Sequence, residues 1–109
     1  MTQNLLVELS DALADAAEKA GKATVLVNAR RRMPASGVAY AGDLILTADH
    51  IIEREDDITV VLADGTEIPA KIAGRDAGSD LAVLKLERAA ATAAEMANSP
   101  ARLGQIALV

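Results

Sequence analysis

The sequence has no cysteine, and Tyr40 is its only aromatic residue. Without thiols the chain can form neither a disulfide bond nor a zinc–thiolate site, and it has no cysteine nucleophile. The lack of cysteine fits a reducing compartment without requiring one. Without large rings, the core has to be built from Val, Ile, Leu and Ala, so we expect a thin margin of stability.

Basic charge and long hydrophobic runs are also scarce. The formal net charge is −5, whereas nucleic-acid binding needs a basic surface, and the only basic cluster, residues 30–32, is more simply a solvated loop. No apolar stretch approaches the ~20 residues that span a bilayer. Asn4, Glu8 and Asp11 lie where a signal peptide has a basic start and an unbroken apolar run. We therefore expect no nucleic-acid partner and no membrane span, and either a cytoplasmic location or a leader removed before Met1.

Residues 1–21 predict an amphipathic helix, because apolar residues recur at three- and four-residue steps and form one stripe. Gly21 is the expected C-terminal stop, and Lys19 lies in the last turn, where a cation suits the helix dipole. The stripe consists of Leu6, Leu9, Leu13, Ala16 and Ala20.

Residues 22–87 alternate between short β-branched runs and turn residues. Gly42-Asp43 is typical of a two-residue hairpin turn, and Asp64-Gly65 is a stronger case because these residues supply the positive φ angles of a tight turn. Pro69 is expected to push the fifth strand to an edge or a bulge. The pattern predicts a mostly β fold, a six-stranded antiparallel barrel with an N-terminal helix. The predicted strands are residues 23–28, 37–41, 44–47, 58–62, 67–73 and 81–86.

Residues 88–109 predict a connector followed by one more strand. Residues 88–98 are rich in alanine but have only a weak amphipathic stripe. Ser99-Pro100 ends this stretch, and residues 106–109 begin an apolar strand. Because the chain stops within that run, we expect a piece of a longer protein, divided into a helix (1–21), a barrel (22–87), and a connector with the first strand of a second, missing barrel (88–109).

Two residues are candidates for chemistry. His50 is the only histidine and follows the predicted strand 44–47, and residues at strand ends are well placed to face a cleft. Asp80 immediately precedes the strand 81–86, a position where aspartate more often serves as a cap or a turn residue. Each residue alone is a weak signal, since a lone histidine is usually a surface or packed residue.

Four sequence blocks strengthen both candidates. Residues 36–39 read SGVA, residues 44–52 read LILTADHII, residues 60–65 read VVLADG and residues 74–86 read GRDAGSDLAVLKL. In order and spacing they resemble the N-terminal half of the trypsin-like serine proteases, and most closely the HtrA/DegP family. There the second block reads YILTNNHVV and the last GxDxxTDLAVLKI, and trypsin has TAAH in the second block. Residues 103–109 are similar to the strand that opens the family's second barrel.

The resemblance implies that His50 is the general base of a serine endopeptidase and that Asp80 is its orienting partner. A serine hydroxyl is a poor nucleophile until an imidazole takes its proton, and a carboxylate fixes the tautomer of that imidazole. The two residues lie 30 positions apart, so only the barrel can bring them together.

The family's nucleophile motif, GNSGG, does not occur in this sequence. That motif also supplies the backbone N–H groups of the oxyanion hole. We therefore expect the 109 residues to be inactive alone, and we expect no cofactor and no metal. The available serines, none in that context, are Ser10, Ser36, Ser79 and Ser99.

Two other interpretations remain open. The chain could be a non-catalytic, protease-like barrel that serves as a protein-interaction module, although a decayed protease has no reason to keep both His50 and Asp80. The chain could also hold a metal ion, but one imidazole with scattered carboxylates fits transition-metal ligation poorly. The residues of such a site would be His50, Asp49, Glu53, Glu55, Asp56 and Asp57. The expected partners are protein or peptide substrates of the intact enzyme, the missing second barrel, and a second copy of the chain paired through residues 106–109.

Overall fold

The computed structural model describes residues 2–107 of the chain, with side chains from residue 4 onward. One helix precedes six strands, and a single turn of 3₁₀ helix, Asp49–Ile51, follows the third strand. The elements are α1 (Thr2–Ala23), β1 (Thr24–Asn28), β2 (Ala35–Ala41), β3 (Leu44–Ala48), β4 (Ile58–Val61), β5 (Glu67–Asp76) and β6 (Leu81–Leu86).

The six strands form a closed barrel in the order β1-β2-β3-β6-β5-β4, and β4 pairs with β1 to close it. Every pairing is antiparallel, and because the barrel is closed, each strand pairs with a neighbour on both sides. The predicted fold class, a six-stranded antiparallel barrel with an N-terminal helix, is confirmed.

The barrel encloses an aliphatic core. Alternate residues of each strand point inward, as the burial of every second position in β1 and β6 shows. Alanines are also buried in the core, among them Ala29, Ala39 and Ala82, while Tyr40 is exposed. The largest fully buried side chains are Ile45, Ile58, Ile68, Leu84, Val27 and Val60.

Helix α1 is longer than predicted. It continues through Gly21 to Ala23, so the prediction that Gly21 stops the helix was wrong. Glycine costs roughly 1 kcal/mol in a helix but does not by itself break one. The helix ends where Thr24 enters β1, and the Thr24 hydroxyl donates a hydrogen bond to the Ala20 carbonyl at 2.8 Å.

The two predicted hairpins differ in their outcome. Gly42 and Asp43 form the two-residue turn between β2 and β3, as expected. The Asp64-Gly65 hairpin has a wider loop, in which the Leu62 N–H donates to the Thr66 carbonyl at 2.8 Å. Gly65 alone has a positive φ there, of 90°. The expectation of a two-residue turn at this site was wrong, and a left-handed glycine closes a three-residue loop instead.

Pro69 lies within a doubly paired strand, so the prediction of an edge or a bulge at this residue was wrong. It pairs with Thr59 of β4, and its carbonyl accepts a hydrogen bond from the N–H of Glu87, just past the end of β6. Proline has no backbone N–H, but Pro69 lies at the end of the β5–β6 ladder, so no hydrogen bond within that ladder is lost. The register shift in β5 lies further along, between Ile72 and Gly74, and β5 continues to Asp76.

Residues 88–107 contain no helix or strand. The first part of this connector is held to the barrel by hydrogen bonds from Ala90 and Ala91 to the Gly42 carbonyl. The predicted strand at residues 106–109 is absent at Ile106 and Ala107, and its last two residues lie outside the described part of the chain. Within residues 2–107, no helix has the length and apolar character of a membrane span.

Candidate active site

The register of two strands brings His50 and Asp80 together. In the β3–β6 ladder, Ala48 at the end of β3 pairs with Leu81 at the start of β6. Asp49 follows Ala48 and Asp80 precedes Leu81, and these two residues are also joined, because the N–H of Asp49 donates to the carbonyl of Asp80 at 3.1 Å. The 3₁₀ turn that follows β3 then carries His50 back over Asp80.

The carboxylate of Asp80 holds His50 at two points. Its Oδ2 lies 2.6 Å from His50 Nδ1, and its Oδ1 accepts a hydrogen bond from the His50 backbone N–H at 2.8 Å. Because an ionised carboxylate can only accept, Nδ1 must be the donor, and the neutral ring then carries its lone pair on Nε2. The predicted contact between the two residues is present.

The backbone of Asp80 lies in the left-handed region, with φ of 57°. Few non-glycine residues adopt this conformation, and aspartate is among the more tolerant of them. The N–H of Asp80 donates to the Ala77 carbonyl at 3.3 Å, which closes the turn before β6. Asp57, in the loop before β4, has a similar φ of 58°, so this conformation accompanies the contact with His50 and does not by itself mark a functional residue.

The electrostatics of the pair favour an ionised Asp80. The pKa of Asp80 lies below its ordinary value, chiefly because of the hydrogen bond from the His50 ring. The hydrogen bond from the His50 backbone N–H lowers it further. The side chains of His50 and Asp80 are 70% and 49% exposed, so the site is open to solvent. A reacting group can therefore approach the ring directly.

A second ion pair joins Asp49, the residue before His50, to Arg75 of β5. Arg75 Nε donates to Asp49 Oδ1 at 2.5 Å, and the side chains of Asp49 and Arg75 are only 14% and 34% exposed. The hydrogen bond to Asp49 also raises the pKa of Arg75 above its ordinary value. The sequence did not predict this pair. Its only signal is that Asp49 is acidic where the family block quoted above has asparagine and trypsin has alanine.

The serines do not complete a triad within residues 2–107, since no serine hydroxyl hydrogen-bonds to His50 there. The Ser79 hydroxyl, next to Asp80 in sequence, donates to Asp76 Oδ2 at 2.9 Å. Ser36 contributes its backbone carbonyl to the buried Thr47 hydroxyl, and Ser10 lies on the exposed surface of α1.

The metal-site interpretation finds no support in the same part of the chain. Across the described residues, no three His, Asp or Glu side chains come together in a group that could hold a metal ion. The Asp49 carboxylate, which that interpretation needs, is bonded to Arg75 instead.

Comparisons with known proteins agree with the fold. The family described as "Trypsin-like peptidase domain" matches residues 35–109, a range that includes His50 and Asp80. Among similar solved structures is the serine endoprotease from Yersinia pestis, at 36% identity and a TM-score of 0.59, over 64% of this chain and 27% of that one.

Several curated relatives are similar as well. A probable periplasmic serine protease do/HhoA-like of Haemophilus influenzae is 48% identical over 44 residues, which is 40% of this chain and 9% of the relative. A probable periplasmic serine endoprotease DegP-like of Rhizobium meliloti is 39% identical over 59 residues, 53% of this chain and 12% of the relative. The chain thus spans about a tenth of these relatives. It belongs to the trypsin-like peptidase domain family, in its HtrA/DegP branch.

Proposed function

We propose that this barrel supplies two members of the catalytic triad of a serine endopeptidase, with His50 as the general base and Asp80 as its orienting carboxylate. The observation that carries the proposal is the two-point contact of the Asp80 carboxylate with the ring and the backbone N–H of His50. Similarity to proteins named as serine proteases supports it. The substrates are peptide bonds of proteins or peptides.

In the proposed reaction, His50 Nε2 takes the proton of a serine hydroxyl as its oxygen attacks the peptide carbonyl. The imidazolium that forms keeps its Nδ1–H bonded to Asp80, whose ionised state stabilises the positive charge. When the tetrahedral intermediate collapses, Nε2 returns the proton to the leaving amine. Water then releases the acyl group from the serine by the same exchange of protons.

The attacking serine is proposed to lie outside residues 1–109. None of the four serines is in a glycine-supported turn that could also form an oxyanion hole. The high exposure of His50 and Asp80 is what we expect of a surface that a second barrel, bearing the serine and the specificity pocket, would cover. Without such a segment, the 109-residue chain would not hydrolyse peptides.

A hydrolysis assay with the purified 109-residue chain tests this proposal. We expect no cleavage of fluorescently labelled casein beyond that of the His50→Ala variant, prepared in parallel as the matched control. We also expect no labelling of Ser10, Ser36, Ser79 or Ser99 by a fluorophosphonate probe, which reacts with activated serines. Cleavage that disappears in His50→Ala, or labelling that depends on His50, would show that the chain contains its own nucleophile.

A further inference from the structure

The ion pair between Asp49 and Arg75 connects three parts of the chain that meet at the candidate site. Asp49 begins the 3₁₀ turn that carries His50, and its backbone N–H donates to the carbonyl of Asp80. Arg75 lies near the end of β5, opposite Ala82 of β6, the second residue after Asp80. One side chain from β5 therefore reaches the turn on which His50 is placed.

The pair is better sheltered than the other ion pairs of the described residues. The Asp49 side chain is 14% exposed and that of Arg75 34%, against 66% and 75% for Lys19 and Glu95. Reduced access to water and screening ions strengthens an ion pair, and exposed pairs contribute little. Arg75 Nη2 also approaches the Asp49 carbonyl at 3.5 Å, so the guanidinium contacts both the side chain and the backbone of the turn.

Few other hydrogen bonds hold the start of the turn, where Asp49 lies. The backbone N–H of Ile52 donates to the Asp49 carbonyl at 3.2 Å, within the turn itself. The residue before the turn, Ala48, has no polar side chain to cap it, and the Asp80 carboxylate accepts from the His50 N–H instead. The buried Ile51 side chain anchors the end of the turn in the core. The polar contacts between the start of the turn and the rest of the barrel are those to Asp80 and the one from Arg75 to Asp49.

We infer that Arg75 and Asp49 form a positioning pair that fixes the 3₁₀ turn, and thereby the His50 ring, against the Asp80 carboxylate. The inference rests on the proposed role of His50 and Asp80, which it deepens. Arg75 and Asp49 act through His50 and Asp80 and do not contact the reacting atoms themselves. If the pair is lost, the turn gains freedom and the Nδ1–Asp80 hydrogen bond opens more often.

Solution NMR of the 109-residue chain tests this inference, because its single histidine gives an unambiguous Nδ1 proton signal. In Asp49→Ala and in Arg75→Ala, we expect this proton to exchange with water about two- to fivefold faster than in the unaltered chain, the range that partly exposed ion pairs produce. The double variant should exchange about as fast as Arg75→Ala, since both single variants remove the Asp49–Arg75 interaction. Arg75→Ala also removes the 3.9 Å pair with Glu55, whose side chain is 81% exposed and which should contribute little. Arg75→Lys and Asp49→Asn, which keep a donor and an acceptor, should restore much of the protection.

A matched control separates positioning from general stability. Asp43→Ala removes the ion pair with Lys85 (3.0 Å), which joins the β2–β3 turn to β6. It should leave the exchange of the His50 proton unchanged, and the methyl spectrum of the core should show that every variant is folded. If Asp49→Ala proves unfolded, Asp49→Asn and Arg75→Ala provide the comparison.

The outcomes distinguish this inference from the proposed function. A protected Nδ1 proton whose exchange changes in neither Asp49→Ala nor Arg75→Ala would overturn the positioning role while leaving the proposed function intact. Equal acceleration in Asp43→Ala would overturn it too, because the effect would then be one of overall stability. A His50 ring that carries no Nδ1 proton in the unaltered chain would contradict the proposed function itself.

Discussion

Asp80 is the most constrained residue of the candidate site. Its φ is positive, both carboxylate oxygens accept hydrogen bonds from His50, and its carbonyl accepts one from Asp49. An asparagine can adopt the same backbone conformation, so Asp80→Asn removes the charge without forcing the turn to change. This substitution therefore replaces the ionised acceptor with a neutral amide, which can donate as well as accept, on the same backbone.

The first prediction concerns the response of Asp80 to acid. Its pKa is lowered from an ordinary value of 3.8 by the His50 hydrogen bonds, so the folded state binds the proton less readily than the unfolded state. The stability that Asp80 contributes is complete above the ordinary pKa and is lost as the pH falls through the lower folded value. Urea unfolding at neutral pH and in acid should show a smaller loss of stability for Asp80→Asn than for the unaltered chain.

Asp80→Asn should change the acid sensitivity only modestly, because the His50–Asp80 pair is exposed and Asp64 also has a lowered pKa. The side-chain and backbone hydrogen bonds of Thr66 lower the pKa of Asp64. Asp80→Asn should therefore reduce the acid sensitivity without abolishing it. Asp11→Asn, on the exposed surface of α1, is the matched control and should behave as the unaltered chain does. An equal acid loss in Asp80→Asn would contradict the prediction.

The two pairs at the site differ in how far the sequence could predict them. The contact between His50 and Asp80 could be predicted because both residues lie in sequence blocks shared with a known family. Arg75 could not be paired with Asp49, because the predicted fifth strand ended at residue 73. The register shift between Ile72 and Gly74 lets β5 continue and places Arg75 opposite Ala82. A bulge of this kind depends on the neighbouring strands and leaves little trace in local sequence.

At the level of strands, Gly37 in β2 is the glycine at which the neighbouring side chains leave the least room for a Cβ atom. A Cβ atom added there would lie 2.9 Å from both Ile45 Cγ2 and Val27 Cγ2, which belong to buried side chains of the neighbouring strands. Both contacted atoms are on β-branched side chains, which have little freedom to turn away. The glycine thus allows β1 and β3 to pack against the inner face of β2.

The second prediction follows from this packing. Gly37→Ala should lower the free energy of unfolding by about 1–3 kcal/mol, the usual cost of adding a methyl group to a filled core. Gly74→Ala is the matched control within a strand, because a Cβ at Gly74 would meet nothing within 4 Å. Urea unfolding of the two variants provides the measurement. Equal stability of Gly37→Ala and the unaltered chain would show that the core is looser than the structure indicates.

Strand positions were easier to predict than the details of turns. The alternation of β6 fixes its bounds as predicted, and β-branched residues identify the centres of the others. The loop at Gly65 and the pairing of Pro69 depend on which backbone groups of other residues lie opposite them. A local sequence pattern does not specify those partners. The helix passed through Gly21 because a single glycine is a weak stop when the residues on either side favour a helix.

At the scale of the whole molecule, the closed barrel means that self-association would not use an unpaired edge of the barrel. Each of the six strands has two partners, so within the described residues the barrel offers no unpaired edge to a second copy. Exposed apolar side chains on the connector and at the start of β6 provide another surface. Leu103 and Ile106 are strongly exposed in the connector, and Leu81 is exposed next to Asp80.

The third prediction is that the 109-residue chain forms dimers at micromolar concentration through these exposed apolar side chains. Sedimentation equilibrium should show a mass above that of one chain. The double variant Leu103→Asp/Ile106→Asp should shift the distribution toward monomer, whereas Met33→Asp, in the β1–β2 loop, should not. A monomer across the whole concentration range would contradict the prediction.

The central claim is that this barrel holds a histidine prepared to act as a general base, and the ring nitrogens of His50 test it most directly. Under conditions where the ring is neutral, the ¹⁵N shifts of the single histidine report which nitrogen carries the proton. The account predicts a proton on Nδ1, held by Asp80, and a free lone pair on Nε2. In Asp80→Asn the amide can instead donate to Nδ1, so the proton should move to Nε2. A proton on Nε2 in the unaltered chain, or a tautomer that Asp80→Asn leaves unchanged, would contradict the account and favour a non-catalytic barrel.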